Sequence, residues 1–216
     1  FSPKGHLYIT IGERGERDQT QDFTINRGQV IRISKNGLVP KDNPFINKSG
    51  YRPETWSVGH RNPQGAAIHP ISGKLWINEH GAQGGDELNV ILPGRNYGWP
   101  IISYGVHYSG GKIGIGSYKD GMEQPIYYWD PSIAPSGLAF YTGQVFPKWK
   151  GDAFVGALKS KLLVRLTLKG EKVISEEHIL GSLNERIRTV INGPDGNLYI
   201  LVDNDPGKIY KIKRVK

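Results

Sequence analysis

The chain has no cysteine. That removes disulfides, thiolate nucleophiles and cysteine-ligated zinc, and it leaves the redox compartment open. No apolar run approaches the roughly 18 residues that a membrane-crossing helix needs. No basic stretch followed by an apolar one opens the chain either, since FSPKGHLYITIG runs straight into a strand-like pattern. We therefore expect no membrane span and read no address, and the composition is that of a water-soluble chain. Long amphipathic stretches with helix caps are also missing, which excludes a helical bundle. The formal charge is +8, but it is not gathered into a block: Lys35, Lys41, Lys48, Lys74, Lys112 and Lys172 are scattered. Scatter of this kind argues against a nucleic-acid face. It suits a positive cleft for a small polyanion, or the lysine-rich surface of a heat-adapted protein.

What is present is glycine (29), proline (14) and many aromatics in a chain of 216 residues. That length suits one domain with a sizeable core. Apolar residues come in short runs bounded by turn residues, so the fold class is all-β. One pattern occurs four times, a glycine turn followed by an aromatic-rich strand: SPKGHLYITIG, HPISGKLWINEHG, KWKGDAFVGALK and GPDGNLYILVD. Each is followed by a second strand: GQVIRISKNG, GDELNVILPG, KLLVRLTLKG and GKIYKIKRVK. The turn glycines stand at 5, 73, 151 and 196, unequal intervals that suit four-stranded units with loops of different length. Such a series predicts propeller blades, with a β-sandwich carrying coincidental turn motifs as the competing fold. The stretch 101–125 is too long for a plain hairpin and is expected to line a functional face. Trp56, Trp76, Trp129 and Trp149 fall at strand positions and are read as core, and His6, His69, His107 and His178, with no metal-ligand spacing, as structural.

Three places carry candidate chemistry. In GHRNPQG the proline restricts Asn62 to extended backbone. Arg61 offers five donors in a plane, with the Asn62 amide beside it. The pair suits a carbonyl or quinone oxygen that becomes negative during reaction, or else it is a blade turn with a partly solvated arginine. In NEHGAQGGDELNVILPGRNYGWP the adjacent acids Asp86 and Glu87 follow a glycine-rich lead-in, which suits calcium better than magnesium and is not an EF-hand. The competing reading is two acids on a strand edge. In NERIRTV, Arg186 and Arg188 stand two apart, so on a strand both would project from one face toward the carboxylates of a single ligand, unless they form a solvated basic face. Lys159, ending FVGALK, is a further cation at the matching edge of its own unit.

Taken together, ETWSVGHRNPQG, NEHGAQGGDELN, GRNYGWP, SGLAFY, GALK and RIRTVINGPDGNLY occur in the order seen in the soluble quinoprotein glucose and aldose sugar dehydrogenases, and the chain resembles that family from Phe1 to its last strand. The resemblance implies a six-bladed β-propeller of four-stranded antiparallel blades, of which about four are represented here as one partial domain. It further implies pyrroloquinoline quinone (PQQ) and calcium on one face, and oxidation of the anomeric hydroxyl of aldoses to lactones. By matching motifs, Arg61 and Asn62 would lie at the quinone oxygens. His80, Tyr108, Ala157, Leu158, Lys159, Arg186, Ile187 and Arg188 would border the cofactor, the two arginines at its carboxylates. Main-chain oxygens of Gly81 and Ala82 would hold the calcium that touches PQQ. A second, structural calcium would take the Glu87 carboxylate and the main-chain oxygen of Tyr97.

The resemblance also marks departures. Relatives often have proline where Ala82 stands, a small change if the ligand is a main-chain oxygen. The family's catalytic base is a histidine in a motif like HxGGR, expected upstream of Phe1, so no histidine of this chain is assigned as the base. The N-terminal blades are expected to lie upstream as well. Implied partners are an aldose and an external electron acceptor, in the periplasm or outside the cell, with no nucleic acid. A non-enzymatic binding propeller of the same superfamily, or a calcium-dependent lactonase, are the competing functions. Which aldose, which acceptor and what oligomeric state are not written in this sequence.

Overall fold

A computed structural model describes residues 1–214. Fourteen strands follow one another: β1 (His6–Ile11), β2 (Gln29–Ser34), β3 (Thr55–Val58), β4 (Pro63–Ile68), β5 (Leu75–Glu79), β6 (Asp86–Ile91), β7 (Tyr127–Trp129), β8 (Pro135–Phe140), β9 (Ala153–Ala157), β10 (Leu162–Lys169), β11 (Lys172–Ile179), β12 (Ile187–Asn192), β13 (Leu198–Val202) and β14 (Ile209–Ile212). The helical elements among the described residues are three short 3-10 turns, at Arg17–Gln21, Pro147–Trp149 and Gly181–Leu183. Among the described residues, no helix is long and apolar enough to cross a membrane.

The strands form four antiparallel meanders, β1-β2-β3, β4-β5-β6-β7, β8-β9-β10-β11 and β12-β13-β14. Each of the four repeated sequence patterns supplies one central hairpin: β1–β2, β5–β6, β9–β10 and β13–β14. The repeat glycines make the turn that leads into each hairpin: Gly5 precedes β1, and Gly73, Gly151 and Gly196 lie between β4 and β5, β8 and β9, and β12 and β13. Gly5, Gly73, Gly151 and Gly196 all have φ between 67° and 90°, a region that only glycine enters without strain. One expectation needs correcting, because two of the four sheets have three strands among the described residues rather than four. Another is Trp149, which sits half-buried in the 3-10 turn Pro147–Trp149 and not on a strand.

The inner sheets are buried on both faces, so alternate residues of one strand serve two different cores. On β10, Val164 and Leu166 pack toward Trp76, Trp129 and Phe140, while Leu163 packs toward Phe154, Ile187 and Ile200. On β5, Trp76 joins the first of these layers, and Leu75 and Ile77 join Val30, Ile91 and Tyr97 in a third. The four sheets thus stack side by side with an apolar layer in each gap.

Glycine sets how closely they approach. A Cβ on Gly65 of β4 would lie 2.3 Å from the Ser136 oxygen of β8, and one on Gly137 of β8 would lie 2.7 Å from the Thr189 α-carbon of β12. The first strands of three successive sheets therefore meet almost backbone to backbone, which brings the loops at their ends into one neighbourhood.

Candidate functional site

Arg61 occupies the turn between β3 and β4 and is fixed at several points. Its backbone N–H donates to Glu79 Oε2 at 2.7 Å, and its carbonyl accepts from the Glu13 N–H at 2.8 Å. The guanidinium donates through Nη1 to the His80 carbonyl at 3.1 Å and lies over the Trp99 ring at 5.2 Å. Its Nε is buried without a partner. A buried donor left without a partner is costly unless another acceptor completes it. Beside it, Asn62 accepts the His80 N–H on its backbone oxygen (3.1 Å) and the Gln64 amide on Oδ1 (3.0 Å).

Opposite, the turn 81–85 folds tightly. A Cβ on Gly81 would fall 2.1 Å from the Gly84 oxygen, and Gly84 and Gly85 both have positive φ. Asp86, the first residue of β6, ties this turn to the chain segment after β7. One of its oxygens accepts the Gly81 N–H (2.9 Å) and the Ser132 hydroxyl (2.6 Å), and the other accepts the N–H groups of Ile133 (2.8 Å) and Ala134 (2.9 Å). These bonds hold Ala134 at φ 53°, a left-handed conformation that alanine seldom adopts. Ile133 and Ala134 in turn accept the backbone N–H groups of Lys159 and Leu158.

The result is a cavity of about 330 Å³ whose lining includes Arg61, Asn62, His80, Gly81, Ala82, Tyr108, Ser132, Ala134 and Lys159. Eight of the residues singled out in the sequence, Asp86 included, come together there from segments far apart in the chain. The His80 ring is oriented by the Pro135 carbonyl at 2.8 Å, so Nε2 carries the hydrogen, and burial lowers its pKa. Tyr108 stands largely exposed at the rim, supplied by the long stretch after β6, as its length implied.

Three residues are placed differently from their neighbours. Ala157, Leu158 and Ile187 are enclosed in the core, at 0%, 5% and 0% exposure, and do not line the cavity. Neither Arg186 nor Arg188 lines the cavity; Arg188 lies on a separate groove with Gln64, Gly65 and Ser136. Both converge on a single carboxylate oxygen of Asp203, at 3.1 and 2.8 Å, and hold that carboxyl below its usual range. Arg186 precedes β12, and Arg188 falls at the irregularity between Ile187 and Thr189, where a bulge re-aims the side chain.

A second, smaller cavity of about 20 Å³ lies behind Arg61, lined by Glu79, Gly81, Gly85, Glu87, Tyr97 and Trp99 among others. It has room for one water or small ion. Glu87, the cross-strand partner of Glu79, accepts a single hydrogen bond, from Asn89 at 3.1 Å. Burial first, and then the Glu79 charge, push its carboxyl well above the usual range. The acid pair expected at 86–87 is thereby split. Asp86 is saturated by main-chain and hydroxyl donors and faces the large cavity, while Glu87 faces the small one, as alternation along a strand requires. No group of three or more histidine, aspartate or glutamate side chains in metal-binding reach occurs among the described residues.

The glucose / sorbosone dehydrogenase family profile matches residues 1–211. The chain belongs to this family. Among its relatives, the aldose sugar dehydrogenase YliI of Escherichia coli (strain K12) is 46% identical over 98% of the chain and 58% of that protein. A crystal structure of glucose dehydrogenase superposes with a TM-score of 0.97 at 50% identity, over the whole of this chain and 63% of the other. The PQQ-bound aldose sugar dehydrogenase of Streptomyces coelicolor superposes at 0.75 with 31% identity, over 94% of this chain and 54% of that one. The chain thus spans about three-fifths of the length of the first two.

Sequence reasoning missed several residues in and around the two cavities. Glu79 sits in an apolar strand, and its partners His60, Arg61 and Asn89 are met only through folding. Gln64, two residues past Asn62 on an exposed strand position, was open to the same alternation argument as Arg186 and Arg188. Asp203 and Ser132 carry no local signal.

Proposed function

We propose that the chain forms the cofactor-binding part of a β-propeller enzyme that oxidises the anomeric hydroxyl of aldoses to lactones with PQQ and calcium. The observation that carries this reading is the 330 Å³ cavity, which gathers a guanidinium, an amide, an imidazole and an ammonium around glycine-rich backbone. PQQ is a planar quinone with three carboxylates, so it calls for cations at its rim and donors at its carbonyls, and this donor set fits. Four sheets, two complete and two with three strands, support blades of a larger ring, and six is the count the family resemblance implies.

Arg61 and Asn62 would hold the quinone oxygens. Arg61 has unused donors there, and its backbone is anchored on both sides, so it would meet a developing negative charge without first reorganising. Lys159 would place its ammonium against a carboxylate from the opposite wall. Arg186 and Arg188 use few of their ten donors on Asp203, and the rest would serve the cofactor's other carboxylates. Tyr108 would cover the rim. Ala157, Leu158 and Ile187 would act by fixing Lys159 and the two arginines rather than by touching the ligand.

Gly81 and Ala82 would hold one calcium through main-chain oxygens, and Glu87 with the Tyr97 carbonyl would hold the other in the small cavity. The fit there rests on Glu87, an under-bonded carboxylate facing a second one across a space the size of one ion. Bound PQQ supplies the acceptor for the hydride that leaves the sugar carbon. On this reading the general base would be a histidine that the family resemblance implies, and no residue of this chain is assigned to that role. An external acceptor and a periplasmic or extracellular location belong to the same reading.

The test is PQQ binding to Arg61→Ala and Lys159→Ala variants with calcium present. We expect each to bind at least tenfold more weakly, the loss of about 1.5–3 kcal/mol that accompanies removal of a charged hydrogen bond. Unchanged affinity in both would place the cofactor elsewhere.

A further inference from the structure

Glu79 lines the small cavity, and it holds the backbone of Arg61, which lines both cavities. Glu79 is 4% exposed. Its Oε1 accepts His60 Nδ1–H at 3.0 Å and the Asn89 amide at 3.1 Å, and its Oε2 accepts the Arg61 backbone N–H at 2.7 Å. His60 is fully buried, stacked on the Tyr97 ring at 4.7 Å, and bonded through Nε2 to Ser57 at 2.8 Å. The Ser57–His60–Glu79 arrangement has the connectivity of a hydrolytic triad, but Ser57 and His60 have no exposed surface. No substrate reaches them, so the network must act on its neighbours.

Those neighbours are the small cavity and Arg61. Glu79 and Glu87 stand directly opposite on β5 and β6, and both line the small cavity. Like charges directly opposite repel, and the Asn89 amide is the one donor that bonds both carboxylates. A cation between them would relieve that repulsion and fix the Glu79 carboxylate. That carboxylate in turn fixes the Arg61 peptide, and the Arg61 side chain lines the large cavity.

We propose that Glu79 is a positioning residue that couples the small cavity to Arg61, so that a divalent cation lodged against Glu79 and Glu87 sets the pose of Arg61 toward the cofactor cradle. The inference rests on the quinone reading only for what Arg61 finally serves. The mechanical link from cation to Arg61 stands apart from it.

The test follows the Arg61 backbone amide by NMR in the protein without quinone while calcium is added, alongside calorimetric calcium titration. In the unmodified protein the Arg61 amide resonance moves as calcium binds. In Glu87→Gln, tight calcium binding and that movement are both lost. In Glu79→Gln, calcium binds at least tenfold more weakly and the amide no longer follows it. Glu79→Asp keeps the charge but shortens the reach. It binds calcium within a few-fold of the unmodified protein while the Arg61 response is reduced, and it serves as the test should the glutamine variant not fold. An Arg61 amide that follows calcium unchanged in the Glu79 variants, or one that ignores calcium in the unmodified protein, overturns the proposal. Failure of PQQ to bind in a separate titration would sink the quinone reading and leave this coupling intact.

Discussion

Arg186 and Arg188 flank a fully buried isoleucine and yet meet on one oxygen of Asp203. Two guanidiniums held this close repel each other, so the site gains from any added carboxylate, and a polycarboxylate ligand would find them already converged. Replacing both by alanine should weaken PQQ by a factor of ten to several hundred, measured as a calorimetric dissociation constant. Asp203 itself gives a pH prediction. Its carboxyl is lowered in the folded state by Arg188 first and Arg186 next, so its contribution to stability is present above the unfolded value of about 3.9 and is lost as pH falls through the lower folded value. Thermal melts of Asp203→Asn should therefore fall slightly below those of the unmodified protein near neutral pH, and the gap should close in acid. A gap that widens in acid would refute the assignment. At this scale the convergence of the two arginines was readable, but strand alternation alone does not produce it, since Arg186 precedes β12 and Arg188 falls at its irregularity. The sequence was unreadable for Glu79, whose proposed role depends on three partners that no local pattern announces.

At the scale of elements, glycines divide into two kinds that look alike in the chain. Gly73 sits in a repeat turn at φ 67° with open space where a Cβ would go. Gly85 has almost the same φ, 66°, but a Cβ there would lie 2.2 Å from the Gly105 nitrogen. Gly73→Ala should cost about 1–2 kcal/mol, the ordinary penalty of left-handed backbone. Gly85→Ala should cost about 3 kcal/mol or more, because backbone cannot yield as a side chain can. Chemical denaturation of the two variants measures the difference, and equal losses would show that the 81–85 turn is not packed against 104–105 as described. The repeat turns were legible because positive φ and alternation leave marks in sequence. The close meeting of β4, β8 and β12 was not, since a strand glycine such as Gly65 or Gly137 reads as a weak spot until its neighbour across the sheet gap is known. The splitting of Asp86 from Glu87 was open to inference, because adjacent strand residues face opposite ways.

For the whole molecule, four stacked sheets with apolar layers between them bring the ends of distant strands to one cavity, and the family assignment rests on a match along nearly all of the chain. The chain covers 58% of the E. coli relative, so turnover of sugar is a property to be sought in the longer protein. Aldose oxidation in that protein should require PQQ together with a dye acceptor, and lactone hydrolysis without quinone should be absent. The reverse pattern would favour the lactonase. The central claim, that the large cavity holds PQQ beside calcium, is tested most directly by calorimetric titration of PQQ into this chain with calcium, repeated with a chelator and in the Arg186→Ala, Arg188→Ala double variant. The account predicts binding that the chelator abolishes and the double variant weakens. A folded chain that binds no PQQ under any of these conditions would contradict it, and would leave a binding propeller without redox chemistry.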